Sequence, residues 1–298
     1  MWKSSLYKRP NFWCDDDAVL IKLAERQYEV YNQRTNDEEV NVESAIPKLL
    51  HFIWLGSSLP VKYERVIDSW RVRHPGWDII LWDDDKATSF ELKNATHFEQ
   101  APNFGMKSDI LRYEVLNDYG GVYIDIDYEC VRNIDDVVHQ CSFFAGFSHT
   151  EVLEVNNGLI GCAPHHPVAH LLIKNISMQV QAKAVLNNDD LAASIGMFLG
   201  GETLFGNRQT VASSASDTIA QTGPGLLTRV LSEYLQGGEK MPEIHRLVLF
   251  PVDVYHPVPN NVHISLSDTD GNDEIVTLKE RYVSHRTRAI HWWQCSWQ

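Results

Sequence analysis

The sequence lacks long apolar runs and an excess of basic residues. No window approaches a run of roughly 18 apolar residues, and residues 1–20 lack the apolar stretch of a signal peptide, so we expect no transmembrane segment. Lys and Arg total 26 against 40 Asp and Glu, which gives a formal charge of −14. Binding of nucleic acid requires clustered basic residues that neutralise phosphates. The composition therefore argues against a nucleic-acid partner, although a nucleotide could still bind through a metal ion.

Cysteine is also scarce. The five cysteines are odd in number and form no C-x-x-C pair, so they predict neither a disulfide framework nor a zinc site. A reducing, cytoplasmic location is the simplest expectation. With no membrane anchor expected, contact with a membrane would be peripheral.

Strand and helix patterns alternate along the 298 residues, which predicts an α/β fold. We expect an N-terminal helical extension over residues 1–45 and one domain over residues 46–298. The polar stretches 36–44 and 258–274 are expected to be a link and a loop. The predicted helices are 15–35, 60–73, a segment ending near 119, 167–186 and 224–235. The predicted strands are 49–54, 77–82, 122–124, 142–147, 152–160 and 246–250.

The segment Lys107–Asp127 is the most informative part of the chain. Its apolar residues recur at helical spacing, which predicts an amphipathic helix, and two glycines then precede a short β-branched strand. The strand leads into Asp125-Ile126-Asp127. Because residues i and i+2 of a strand point to the same side, Asp125 and Asp127 are expected to converge. Converging carboxylates are suitable ligands for a hard divalent cation.

The D-x-D spacing alone is not specific, because the chain contains four such pairs. Only Asp125 and Asp127 follow directly after a strand that is expected to be buried. Ligand sites of open α/β sheets lie outside the carboxyl ends of the strands. The alternative is a solvated strand end. The acidic stretch Asp83–Asp85 is expected to be an ordinary solvated turn.

Five ordered motifs carry a family resemblance. They are IPKLLHFIWLG (46–56), SWRVRHPGWDIILWDDD (69–85), KSDILRYEVLNDYGGVYIDID (107–127), NNGLIGC (156–162) and AIHWWQCSW (289–297). Together they resemble the family 32 glycosyltransferases, which include initiating α-1,6-mannosyltransferase-like enzymes. More distantly, they are similar to the glucosyltransferase domains of clostridial toxins. The resemblance covers about residues 46–165 and 285–297.

The resemblance implies a GT-A type nucleotide-sugar-binding fold with a mixed, mostly parallel central sheet and flanking helices. Asp125 and Asp127 would hold a divalent metal, with Mn²⁺ favoured over Mg²⁺, and Asp125 would also reach the ribose. A bound metal would neutralise the diphosphate as it departs. The donor would be GDP-mannose, UDP-glucose or UDP-galactose, and mannose is favoured. The acceptor would be a glycan or glycolipid hydroxyl.

The resemblance also assigns roles to residues on both sides of the D-x-D motif. Asp109 would hold hydroxyls of the donor sugar, and Arg112 would lie beside the sugar or phosphate. At i, i+3 the two could instead form a local helix ion pair. Near the end of the sequence, His291 is expected to bind the metal or the phosphate, whereas Ser296 and Trp297 would contact the leaving phosphate. The alternative is an aromatic cluster that packs a terminal strand.

Three more residues complete the predicted site. One of Asn156 and Asn157 would approach the donor sugar or the acceptor, although two amides before a glycine could also form a plain turn. Trp54 follows a buried strand and could stack on the nucleotide base or pack in the core.

These expectations combine into a retaining hexosyltransferase. On the sequence alone, two other classes remain open. A HAD-type phosphohydrolase also has a strand ending in D-x-D, but that family has Thr or Val where this chain has Glu129. A non-catalytic carbohydrate-binding protein would account for nine Trp residues, yet it would not require the Asp109, Asp125 and Asp127 array.

Overall fold

The structure is a computed structural model that describes residues 15–34, 46–186, 215–237, 246–262, 264, 266 and 273–294. The predicted link 36–44 and the predicted phosphate contacts Ser296 and Trp297 lie outside these residues. In the described parts, no helix is long and apolar enough to cross a bilayer.

The centre of the molecule is a six-stranded sheet with the strand order β2-β1-β3-β6-β5-β7. β6 runs antiparallel to both of its neighbours, and the other five strands share one direction. The small strands β4 and β8 form a separate antiparallel pair. The strands are β1 (Leu49–Ile53), β2 (Asp78–Trp82), β3 (Gly121–Ile124), β4 (Tyr128–Cys130), β5 (Phe143–Phe147), β6 (Val155–Cys162), β7 (Leu247–Phe250) and β8 (Ala289–His291).

Helices connect these strands and cover the sheet. The long ones are α1 (Asp15–Arg34), α2 (Val61–Arg73), α5 (Phe104–Tyr119), α7 (Pro167–Leu186), α9 (Pro224–Gly237) and α11 (Asp273–Tyr282). The short ones are α3 (Asp84–Ser89), α4 (Ala95–Gln100), α6 (Asp135–Val138), α8 (Ala215–Gln221) and α10 (Val252–Tyr255). This arrangement confirms the expected α/β class with a mixed, mostly parallel sheet.

Two apolar clusters hold the layers together. One lies around α5, α7 and α9, and the other lies around β1, α2 and β4. α1 contributes to both, because Leu20 and Ala24 belong to the first cluster and Tyr28 and Tyr31 to the second. Burying apolar side chains on both faces is what stabilises a parallel sheet. The N-terminal helix is therefore packed into the core.

α5 is a central helix, and the prediction that it is amphipathic was wrong. Eleven of its sixteen residues are buried, including Asp109, Arg112 and Glu114. Asn103 caps its first turn by accepting a hydrogen bond from the Met106 amide at 2.8 Å. Gly120 ends the helix with a φ of 65°, a conformation that favours glycine. Asp109 and Arg112 face a polar site instead of solvent, and Glu114 accepts hydrogen bonds from the backbone amides of Lys93 and Asn94.

Several other boundaries differ from the predicted ones. The predicted turn Asp83–Asp85 is the start of α3, where Asp83 caps the helix by accepting from the Lys86 amide. The predicted strand 152–160 begins only at Val155. The predicted loop 258–274 ends where α11 begins, at Asp273. Strands of three residues, such as β4 and β8, are too short to show a periodicity, so no sequence pattern indicated them.

Candidate active site

The D-x-D motif lies in a tight turn just beyond β3. The amide of Asp125 donates to the Gly158 carbonyl at 2.6 Å, which ends the sheet pairing, and the amide of Tyr128 donates back to the Asp125 carbonyl at 3.1 Å. Strand alternation is therefore the wrong explanation for the convergence of the two carboxylates, because Asp127 is a turn residue. The turn places both side chains at the carboxyl edge of the sheet, as expected for a ligand site.

The last described strand, β8, brings His291 to this turn. β8 pairs with β4 so that His291 lies opposite Tyr128. The backbone amides of Trp292 and Gln294 then bind Asp127, one at its carbonyl (3.1 Å) and the other at Oδ2 (2.7 Å). His291 Nε2 lies 3.3 Å from the same Oδ2. The sequence neighbours of His291 thus fix Asp127 in place.

Asp125, Asp127 and His291 form a set that could hold a metal ion. One ligand atom from each lies within 4.8 Å of the others. Adjacent ligands of an octahedral ion bound at about 2.1 Å are about 3 Å apart, so the 3.3 Å between His291 and Asp127 fits one coordination sphere. The buried Nδ1 of His291 has no hydrogen-bond partner among the described residues. Two carboxylates and an imidazole are suitable ligands for Mn²⁺.

Neighbouring rings fix the orientation of His291. It stacks on Tyr128 with ring centroids 4.2 Å apart and lies 4.0 Å from the Trp293 ring. Although burial raises the pKa of Asp127, the neighbouring His291 and the hydrogen bonds from His291 and Gln294 hold it below its ordinary value. Asp127 therefore remains a carboxylate at neutral pH, as a metal ligand must.

Arg112 joins the candidate metal-ligand set to another buried carboxylate, Asp109. Its Nη2 lies 3.2 Å from Asp109 Oδ1 and 3.3 Å from Asp125 Oδ1. Its Nη1 donates to the Asn157 carbonyl at 2.7 Å, and the guanidinium lies 4.3 Å above the Tyr123 ring. Arg112 is 4% exposed, so these contacts act with little screening by solvent.

The pKa of Asp109 is raised, whereas that of Asp127 is lowered. Burial raises the pKa of Asp109 to about 6, although Arg112 and hydrogen bonds from Thr222 and Asn157 lower it. The Asn157 amide donates to Oδ1 and the Thr222 hydroxyl to Oδ2, both at 2.8 Å. Keeping the buried Asp109 side chain charged costs free energy of folding. A buried carboxylate with a pKa raised in this way indicates a functional role.

The polar residues line one cleft of about 1270 Å³. Its lining includes every predicted site residue that the structure describes, namely Trp54, Asp109, Arg112, Asp125, Asp127, Asn156, Asn157 and His291. Trp54 is half-buried and packs 5.2 Å from Tyr63, and its side-chain role stays a prediction. Asn157 faces Asp109, whereas Asn156 faces away from it, toward Tyr128.

Sequence reasoning missed several residues that build this site. Tyr128, which directly follows the D-x-D motif, donates to Asn156 Oδ1 at 3.0 Å and contacts His256 Nε2 at 2.6 Å. A Cβ on Gly158 would lie 2.5 Å from Asp125 Oδ2, so only glycine leaves room for that carboxylate. Tyr128 and Gly158 each lie directly beside a motif residue, and this position in the sequence could have indicated a role in the site. Thr222 and His256 had no such signal, because they lie in weakly patterned regions.

Comparison with protein families identifies the part of the chain that holds the D-x-D turn. Residues 60–144 match the family model described as "Glycosyltransferase sugar-binding region containing DXD motif". The resemblance of the chain to the family 32 glycosyltransferases is thus confirmed.

Individual relatives are similar over part of their length. Inositol phosphoceramide mannosyltransferase 1 of Schizosaccharomyces pombe is 32% identical over 139 residues, covering 44% of this chain and 43% of that protein. The initiation-specific α-1,6-mannosyltransferase of the same yeast is 23% identical over 232 residues, covering 67% and 52%. The chain spans less than half the length of the first of these relatives. Among solved structures, the PaToxG glycosyltransferase is 16% identical with a TM-score of 0.41, covering 74% of this chain and 81% of that one.

Proposed function

We propose that this chain is a metal-dependent, retaining glycosyltransferase that moves a hexose from a nucleotide sugar to a hydroxyl of a glycan or glycolipid. The main support for this proposal is that Asp125, Asp127 and His291 offer ligand atoms within 4.8 Å of one another. The cleft that contains them also contains Arg112 and Asp109. Mannose is the favoured sugar because several similar proteins are named as mannosyltransferases.

Each cluster would have a separate task in the reaction. A metal held by Asp125, Asp127 and His291 would supply positive charge for the departing diphosphate. Arg112 would bind the donor beside this charge and keep Asp125 oriented. Asp109 would accept hydrogen bonds from the donor sugar, and Asn157 would keep Asp109 aimed at it. Fixed groups of this kind need no rearrangement when the glycosyl–phosphate bond breaks.

Retention of configuration is proposed as a front-face displacement. The acceptor oxygen would bond to the anomeric carbon on the side from which the diphosphate leaves, as the glycosyl–phosphate bond breaks and the acceptor proton passes to the departing phosphate oxygen. No covalent sugar–enzyme intermediate is then required. Two of the carboxylates that line the cleft are Asp109 and Asp125. Both are already paired with Arg112, at 3.2 and 3.3 Å. This pairing makes either carboxylate a poor nucleophile.

Donor hydrolysis is the direct test. GDP-mannose, UDP-glucose and UDP-galactose would each be incubated with the protein and Mn²⁺, with and without a chelator. We expect one donor to be cleaved, with activity lost on chelation and in Asp127→Ala. Asp85→Ala, which removes an exposed carboxylate from another D-x-D pair, is the matched control and should retain activity. If no donor is cleaved and calorimetry shows sugar binding independent of metal, a non-catalytic carbohydrate-binding protein is the better conclusion.

A further inference from the structure

Two carboxylates that line the cleft, Glu151 and Glu154, have no part in the proposed donor site, and Glu154 is the less exposed of the two. Glu154 lines the cleft and belongs to the connection between β5 and β6. Because β6 runs against the other strands, it begins at the edge where β3 ends. The connection that precedes β6 therefore lies at the same edge as the D-x-D turn.

Among the described residues, a single hydrogen bond holds the Glu154 side chain. The Ser148 hydroxyl donates to Oε1 at 2.9 Å, and the Ser148 amide donates to the Glu154 carbonyl at 2.8 Å. Within the same part of the chain, the Glu154 side chain makes no hydrogen bond or ion pair with Asp109, Arg112 or Asp125. Its second oxygen therefore remains available to a ligand in the cleft.

Burial makes that oxygen a strong hydrogen-bond acceptor. Burial raises the pKa of Glu154 above its ordinary 4.5, and the hydrogen bond from Ser148 offsets this only in part. A partly desolvated carboxylate recovers stability when a ligand hydroxyl donates to it. Hydrogen bonds to charged groups are also stronger than those between neutral groups.

Glu154 is connected to the donor site through a fixed chain of side chains. The Asn156 amide donates to the Ser148 hydroxyl at 3.1 Å, and Asn156 Oδ1 accepts from Tyr128 at 3.0 Å. Tyr128 in turn stacks on His291. The position of Glu154 is thus set relative to the proposed metal ligands without any direct contact with them.

The surroundings of Glu154 form a separate wall of the cleft, made of residues 148–154 and 256–261. The His149 ring contacts the carbonyls of His256 and Pro257 at 3.2 and 3.1 Å, and the Asn260 amide donates to the His149 carbonyl. The cleft side of this wall presents amide groups, Thr150 and the 45%-exposed Val152. Hydroxyl-binding groups beside an apolar side chain are suited to a sugar or another polyol.

We propose that Glu154 binds the acceptor: its free oxygen accepts a hydrogen bond from an acceptor hydroxyl, and residues 148–154 and 256–261 form the acceptor side of the cleft. This inference rests on the proposed function and adds the place where the second substrate binds. Loops on a rigid sheet are common positions for residues that select a substrate.

The test compares the two substrates separately. Mannosyl transfer from GDP-mannose would be measured to methyl α-mannopyranoside, myo-inositol and phosphatidylinositol vesicles, and the best acceptor for the wild type would be retained. Donor hydrolysis without acceptor would be measured in parallel. For Glu154→Gln and Glu154→Ala we expect kcat/KM for the acceptor to fall at least tenfold, mainly through KM. Donor hydrolysis and Tm should remain close to wild type. Glu99→Gln, which neutralises an exposed carboxylate that does not line the cleft, is the matched control.

Three results would contradict the inference in different ways. Unchanged acceptor kcat/KM in both Glu154 variants would show that Glu154 does not bind the acceptor. An equal fall in hydrolysis and transfer would assign Glu154 a structural or donor-binding role. A wild type that turns over no donor would overturn the proposed function itself, and the role of Glu154 with it.

Discussion

Replacing Asp109 by Asn should make the protein more stable and less active. Oδ1 of Asp109 accepts from Asn157 and Arg112, and Oδ2 accepts from the Thr222 hydroxyl. In Asp109→Asn, an amide nitrogen in the place of Oδ2 could donate to the Thr222 oxygen. The Thr222 hydroxyl could then donate only to the Thr218 carbonyl, which already lies 3.3 Å away. The neutral side chain therefore keeps the hydrogen bonds made by Oδ1 and gives one of its two N–H groups an acceptor.

The expected gain follows from the pKa of Asp109. Burial raises this pKa from 3.8 to about 6, so the folded state binds the proton more tightly than the unfolded state. The stability associated with the protonated form is complete below pH 3.8 and is lost as the pH rises through 6. At about 1.4 kcal/mol per pKa unit, the charged carboxylate costs about 3 kcal/mol at pH 7.5 and about half of that at pH 5.

Urea unfolding at pH 7.5, 6 and 5 would measure this cost. We expect Asp109→Asn to exceed the wild type in free energy of unfolding by up to about 3 kcal/mol at pH 7.5, with a smaller difference at pH 5. Asp127→Asn is a control with the opposite sign. The pKa of Asp127 is lowered, so its carboxylate stabilises the fold above its unfolded-state pKa, and the variant should be less stable at neutral pH. The electrostatic account of Asp109 would be wrong if Asp109→Asn were less stable than wild type at pH 7.5, or if its difference did not change with pH.

Two further predictions concern a glycine and a histidine. Gly158→Ala should raise the Kd for nucleotide in the presence of Mn²⁺ at least tenfold by calorimetry, because the new Cβ would displace the Asp125 carboxylate. Gly237→Ala, where a Cβ has open space, should leave the Kd unchanged. Burial lowers the pKa of His51 to about 4, and neutral His51 is bonded to the Gly120 carbonyl at 2.8 Å. The stability that neutral His51 contributes is complete above pH 6.5 and is lost as the pH falls toward 4. The free energy of unfolding measured in urea should therefore fall by about 3 kcal/mol over this range because of His51, and His51→Gln should lack this part of the pH dependence.

Local parts of the fold and site could be predicted from the sequence. α7 begins and ends where its apolar spacing indicates, at Pro167 and Leu186. Asp109 and Arg112 are paired because four residues of one helix fix their separation. Patterns of this kind depend only on neighbours along the chain, so one sequence is sufficient to read them.

The parts that failed depend on distant segments. No local pattern indicates that the Thr222 hydroxyl reaches Asp109, 113 residues away, or that Tyr128 contacts His256, 128 residues away. Glu154 was not recognised because an isolated carboxylate before a strand has many ordinary explanations. Its position in the cleft follows from the antiparallel direction of β6, which is a property of the whole sheet.

The pairing of β4 with β8 also sets the order in which the site is completed during synthesis. The D-x-D turn and strands β1 to β7 are made before β8, and His291 is added 164 residues after Asp127. Until then a nascent chain has two of the three proposed ligands, and nothing from β8 holds Asp127 in place. A partly synthesised chain would therefore bind metal and nucleotide poorly even with the centre of its sheet already formed. Binding competence would arise late and abruptly, when one short strand docks.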